Sequence, residues 1–188
     1  YPINPFTGLH LSKQNLYKII NNISNFKINI YFYSFCLENL NLNLQNIECV
    51  YFTDINIDYI NITVNNDCNI FFDKINIDNL TIKDNNLRNN LSLNILKDCI
   101  INNNITINNF KDLDLSIEGT TFSSSSVINI NNCALIDSLR MVNIEIFPTI
   151  NIDETSTLND FILTNIKSIS YKITCIKSIL KDYTINHS

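Results

Sequence analysis

A chain of 188 residues, 45% apolar and only 16% charged, is long enough for one domain with its own core and too apolar to remain disordered. Its net charge of −5 comes without any Lys/Arg cluster, which argues against nucleic acid as a partner, because a phosphate backbone needs several cations on one face. No apolar run approaches the roughly 18–20 residues of a membrane-spanning helix, and two glycines cannot build a phosphate loop.

In chain order, the first element expected is a cap over residues 1–36. Residues 12–23 place Leu16, Ile19, Ile20 and Ile23 on one helical face, with Ser12 as N-cap. KINIYFYSF (27–35) then alternates as a strand.

The centre of the chain repeats. INIDYINITVNN (55–66) returns as INIDNLTIKDNN (75–86), and both fit the spacing L-x-x-L-x-L-x-x-N. Ile57, Ile60, Ile62 and Asn65 fill it first; Ile77, Leu80, Ile82 and Asn85 fill it again. Apolar pairs continue the series at Leu40/Leu42, Ile105/Ile107, Ile128/Ile130, Ile150/Ile152 and Ile173/Cys175. The interval stays within the 20–29 residues of a leucine-rich repeat. Alternation turns both members of each pair inward. Asn65, Asn85 and Cys133 take the ladder position, where an inward amide could satisfy backbone groups of neighbouring coils.

On these motifs the chain resembles the leucine-rich-repeat proteins over residues 37–178. With its Asn/Ile-heavy composition it looks like the small secreted leucine-rich-repeat proteins of microsporidian parasites. The resemblance implies an α/β, β-dominated solenoid with a parallel concave sheet behind the helix-plus-strand cap, all within one domain. It also implies a non-enzymatic, protein-binding, effector-like function, with an unidentified protein, such as one from a host, as partner. A right-handed parallel β-helix acting on polysaccharide shares the period and the inward stripes and is the alternative fold. A structural, self-associating coat protein is the alternative function.

EGTTFSSSS (118–126) reads as a flexible loop on the rim or convex side. Residues 160–182 fit either a closing helix or a further repeat strand, and 179–188 read as a tail. The chain starts at Tyr1 and its one methionine is Met141, so a removed secretory leader is expected, an intracellular protein being the alternative.

Chemistry is sparse. His10 and His187 have no metal-type spacing, and no metal or cofactor is expected. Asp112 and Asp114 share an outward strand face, and Asp54 and Asp58 fall on a turn; all read as solvated acids. Cys49 and Cys68 would stack within disulfide reach in a twenty-residue coil, although free thiols throughout are the expectation. What remains is the outward side of the repeated strands: Tyr59, Asn61 and Thr63; Asn79, Thr81 and Lys83; Asn104, Thr106 and Asn108; Asn129 and Asn131; Asn151 and Asp153. This nearly uncharged amide and hydroxyl surface is the candidate binding face. A homodimer through unpaired terminal strands is also open to such a fold.

Overall fold

The computed structural model describes residues 28–167, 172–175 and 182–186. They form a solenoid of parallel strands, with no helix among the described residues. The strands are β1 (Ile28–Leu44), β2 (Ile47–Val64), β3 (Cys68–Asp84), β4 (Asn90–Ile95), β5 (Ile100–Asn108), β6 (Asp112–Glu118), β7 (Thr121–Phe122), β8 (Val127–Asn131), β9 (Leu135–Val142), β10 (Thr149–Ile152), β11 (Leu158–Thr164), β12 (Ile173–Cys175) and β13 (Asp182–Asn186).

Each coil contributes to two sheets. In the first sheet the opening halves of β1, β2 and β3 stack in order and are followed by β4, β6, β9, β11 and β13. In the second their closing halves are followed by β5, β8, β10 and β12. A short side joins the two, with Leu37, Ile57, Ile77, Ile101 and Phe122 in register.

Strand alternation explains how one chain lines a closed interior. In β2, Val50 and Phe52 point inward, then Ile55 and Ile57, then Ile60, Ile62 and Val64, all at most 2% exposed. Side chains alternate with period two, so the inward phase changes only where the chain turns a corner. The first change is at Asp54, which adopts φ 55. The second is at Asp58, which the ladder skips. Equivalent first corners use Ser34, Lys74, Asp98, Gly119, Asn143 and Asn165, all with positive φ. Asn and Asp tolerate this left-handed region better than other non-glycine residues, so the chain turns with few glycines.

The interior is apolar along its length except at Asp84, which is buried in register with Val64. Phe32, Phe52 and Phe72 stack at centroid distances of 5.0 and 4.8 Å, and on the outer side of the same sheet Tyr31, Tyr51 and Phe71 stack at 4.6 and 4.8 Å. Parallel register forces this, because residues one coil apart lie about 4.8 Å from each other.

Several expectations meet this fold directly. The residues expected inward fall into one column: Leu40, Ile60, Leu80, Ile105, Ile128, Ile150 and Ile173 are in mutual register, and all are buried except Ile173, which is 36% exposed on the last described strand of this sheet. The helix expected at 12–23 lies outside the described residues. The strand expected at 27–35 begins β1, which runs on past residue 36 and pairs with β2 throughout as a full coil. Residues 158–164 and 173–175 are strands, and the expected tail contains β13, paired with β11. The segment 118–126 is built into the wall instead of forming a flexible loop. Phe122 is buried, Ser126 Oγ donates to Ile101 O at 2.9 Å, and Ser123 Oγ donates to Asn102 O at 2.5 Å.

Candidate binding face

The second sheet gathers every residue of the expected binding face on its outward side. Tyr59, Asn79 and Asn104 form one column with Val127 and Thr149. Asn61, Thr81, Thr106, Asn129 and Asn151 form the next, with Asn41 before them and Thr174 after. Thr63, Lys83, Asn108 and Asn131 form the third, and Asp153 extends it at the end of β10. All are exposed or half-buried.

The amides are tied to one another. Asn61 Nδ2 donates to Asn41 Oδ1 at 3.0 Å, Asn104 to Asn79 at 3.4 Å, Asn131 to Asn108 at 2.9 Å and Asn151 to Asn129 at 2.9 Å. Each bond spans one coil, so parallel register brings like amides within hydrogen-bond reach. The ties restrict the rotamers of this face before anything binds.

Asp153 plays a different part. Its carboxylate accepts from Asn132 N (2.9 Å), Thr155 Oγ1 (2.9 Å) and Ser156 Oγ (2.6 Å). Burial alone would raise its pKa, but these donors hold it below the usual carboxylate range. It is a charged cap on a corner as well as a residue at the margin of the face.

The ladder residues divide. Asn65 is half-buried and donates to Asn43 Oδ1 (2.5 Å) and Leu44 O (3.2 Å) in the preceding coil. Asn85, expected inside, is exposed and donates to Asn65 Oδ1 at 3.4 Å. Backbone bonds do much of the work an internal amide would have done: Asn65 N donates to Leu44 O, and Asn109 N to Asn131 O. Cys133 is fully buried, its Sγ 3.6 Å from Asn131 O.

No cross-link joins Cys36, Cys49, Cys68, Cys99 or Cys133. Cys49 pairs in register with Asn69, one position beyond Cys68, so the two thiols face opposite sides of the sheet; both are free, as are Cys36, Cys99 and Cys133. Burial pushes Cys68 up to about 12, with the charge of Cys49 adding to it, and burial takes Cys99 and Cys133 up to about 11. Thiols held so far above neutrality are poor nucleophiles.

Sequence reasoning missed an acidic group on the outer side of the first sheet. Asp114 of β6 is in register with Ser138 of β9, and Ser138 with Asp160 of β11; Asp137 is adjacent. Burial raises the Asp114 pKa, the nearby Asp137 charge raises it further, and a Ser138 hydrogen bond partly offsets both. The alternation L-D-L at 113–115 marked the face, but the partners are 23 and 46 residues further on, and only the stacking of first-sheet strands identifies them. Asp54 lies at the first corner, where it accepts from Ser34 Oγ at 3.1 Å and borders a groove of about 530 Å³ with Lys74 and Asp98. Asp58 is exposed at the second. His10 and His187 lie outside the described residues. No group of three or more His, Cys, Asp or Glu suited to a metal occurs among the described residues, and no helix long and apolar enough to cross a membrane occurs among them. No protein-family model, curated protein or solved structure matches the chain.

Proposed function

We propose that this protein is a non-enzymatic binding module that recognises a protein surface through the outward face of its second sheet. The single observation carrying this reading is the three-column array of amides and hydroxyls, held in place by its own Asn–Asn bonds. A face of fixed, uncharged donors and acceptors loses little side-chain freedom on binding and offers directional hydrogen bonds. Secretion and action on a host protein belong to the same proposal, on the sequence grounds given above. Thr81→Arg with Thr106→Arg adds bulk and charge to the middle column without touching the core. Captured protein should fall to background for this variant; capture equal to the parent chain would move the site elsewhere.

Within the solenoid class we favour a β-helical coil over a leucine-rich repeat. Two features support this: the second parallel sheet in every full coil, and the outward position of Asn85. The L-x-x-L-x-L spacing suits either fold. The step from Ile57 to Ile60 spans the corner at Asp58, so a template for one strand also describes the end of one side and the start of the next.

The acids of the first sheet favour a second reading, hydrolysis of a polysaccharide lying across β6, β9 and β11. That chemistry needs a protonated and an ionised carboxyl, and Asp114 beside Asp137 is perturbed in the required direction. Release of reducing ends from acidic and neutral polysaccharides, abolished by Asp114→Asn, would establish it. No release from any of them would leave the acids as surface charge.

A further inference from the structure

Between Asn39 and Ile152 the outward columns of the second sheet carry one charge, Lys83 in the third rung; a second, Asp153, stands half-buried just past the end of β10 in the sixth rung, its carboxylate also accepting from Asn132 N, Thr155 Oγ1 and Ser156 Oγ. Resting on the reading of this face as the binding surface, we propose that its occupant is a second copy of the same chain, laid face to face with the solenoid axis reversed. A two-fold axis along the strand direction keeps each column over itself and reverses the order of rungs. Setting the third rung over the sixth places Lys83 of each copy over Asp153 of the other. The remaining positions follow from that one match. The fourth rung (Asn104, Thr106, Asn108) lies over the fifth (Val127, Asn129, Asn131). The second rung lies over the seventh, so the exposed Tyr59 ring and Asp58 lie over Lys172, which is exposed at the head of β12. An ammonium against a tyrosine ring and a nearby carboxylate is attractive.

The other two-fold arrangement, with its axis along the solenoid, sets each rung over itself reversed. Lys83 then lies over Asn79, beside an Asp78 carboxylate that already accepts from Asn102 Nδ2 at 2.8 Å, and Asp153 lies over Thr149 and loses water with no cation opposite it. Charge therefore selects the reversed arrangement. It also gives the isologous pattern of a closed dimer, in which residue i meets j and j meets i. Ladders of tied amides pack against one another in dry, interdigitated interfaces between sheets. Six rungs at about 4.8 Å and three columns at about 6.7 Å cover about 600 Å² per copy, below the roughly 800 Å² of a standard interface, so the dimer is reversible.

The test is equilibrium sedimentation of the whole chain up to about 1 mM, combined with solution scattering. The expected result is a concentration-dependent dimer about as long as the monomer and thicker. Lys83→Glu places like charges together twice, and Thr106→Arg adds bulk at the centre; each weakens the dimer by about tenfold or more. Lys97→Glu, at the corner after the first sheet, leaves it unchanged, and circular dichroism checks that all three variants fold. A monomer at every concentration overturns the proposal. So does a dimer of doubled length, or one that neither face variant weakens. A monomer that still captures another protein, and loses it on Thr106→Arg, overturns self-pairing but keeps the face as the binding surface. If Thr106→Arg alters neither capture nor self-association, both readings fall.

Discussion

In the first three coils, β1, β2 and β3 run for 17, 18 and 17 residues and turn their corners without leaving the ladder for more than a residue at a time. After Asp84 the longest strand, β5, has 9 residues, and the corners grow into loops. The wall changes little across this boundary: inward residues stay apolar and buried on both sides of it. The corners differ. Four buried polar side chains occur among the described residues, Asp84, Thr120, Ser126 and Ser156, and none belongs to a corner before Asp84. Asp84 accepts from the backbone of Asn86 (3.0 Å), Arg88 (2.8 Å) and Asn89 (3.0 Å). Ser156 accepts from Cys133 N and donates to Asp153. A short corner leaves few backbone groups without a partner in the next coil. A longer one leaves several, and a side chain must supply the missing partner.

The sharpest tests set the two kinds of coil against each other. In the regular coils the largest loss should come from the wall: Phe52→Ala, between Phe32 and Phe72, should cost about 3–5 kcal/mol in urea unfolding. In the expanded coils a polar residue should approach that figure. Asp84→Ala leaves three backbone donors without their acceptor and should cost about 3 kcal/mol; a loss under about 1 kcal/mol would remove the distinction drawn here.

Asp84 also predicts a pH dependence. Burial would raise its pKa, but the backbone donors, with a side-chain bond from Asn89, pull it below the ordinary value. A depressed folded pKa means the stabilisation is complete above the unfolded value, about 3.9, and is lost as pH falls through the folded one. Stability measured between pH 5 and pH 2 should therefore decline, and the decline should be shallower in Asp84→Asn.

Smaller effects belong to the first corner. Gly119 has φ 57, and a Cβ there would lie 3.0 Å from Lys97 Cβ, so Gly119→Ala should lose about 1–2 kcal/mol of stability. Lys74 adopts φ 53 with an ordinary side chain, so Lys74→Gly should gain about 0.5–1 kcal/mol, read as a raised thermal midpoint.

The sequence made one sheet legible because its inward pairs recur in a plain column, Leu40 to Ile173. The other sheet was present in the same text, as V-Y-F at 50–52, I-F-F at 70–72, L-S-L-N-I at 91–95 and L-D-L-S-I at 113–117. Only the strand at 27–35 and the outward face at Asp112 and Asp114 were legible from it, and not as one sheet, because each corner shifts the alternation by one residue, and a shift looks like the end of a strand when only one strand per repeat is expected. Asp54 and Asp58 are the residues that make the shift, and nothing in their identity separates a turning Asp from a solvated one. The candidate face was legible column by column, since outwardness follows from the inward pairs. The Asn–Asn ties follow from register, once parallel stacking is given. The grouping of Asp114, Asp137 and Asp160 depends on which strands are neighbours in the other sheet, and a repeat pattern confined to one strand per coil could not reveal it.

The direction of the coil-to-coil hydrogen bonds has a mechanical consequence. They run along the solenoid axis, so a pull on the two ends along that axis loads one rung at a time. The coils would peel off in succession. A released coil of 20 residues, such as that from Ile55 to Ile75, would add about 70 Å of contour length. The chain would yield at low force over a long extension, as a molecular tether does, instead of breaking at one high peak.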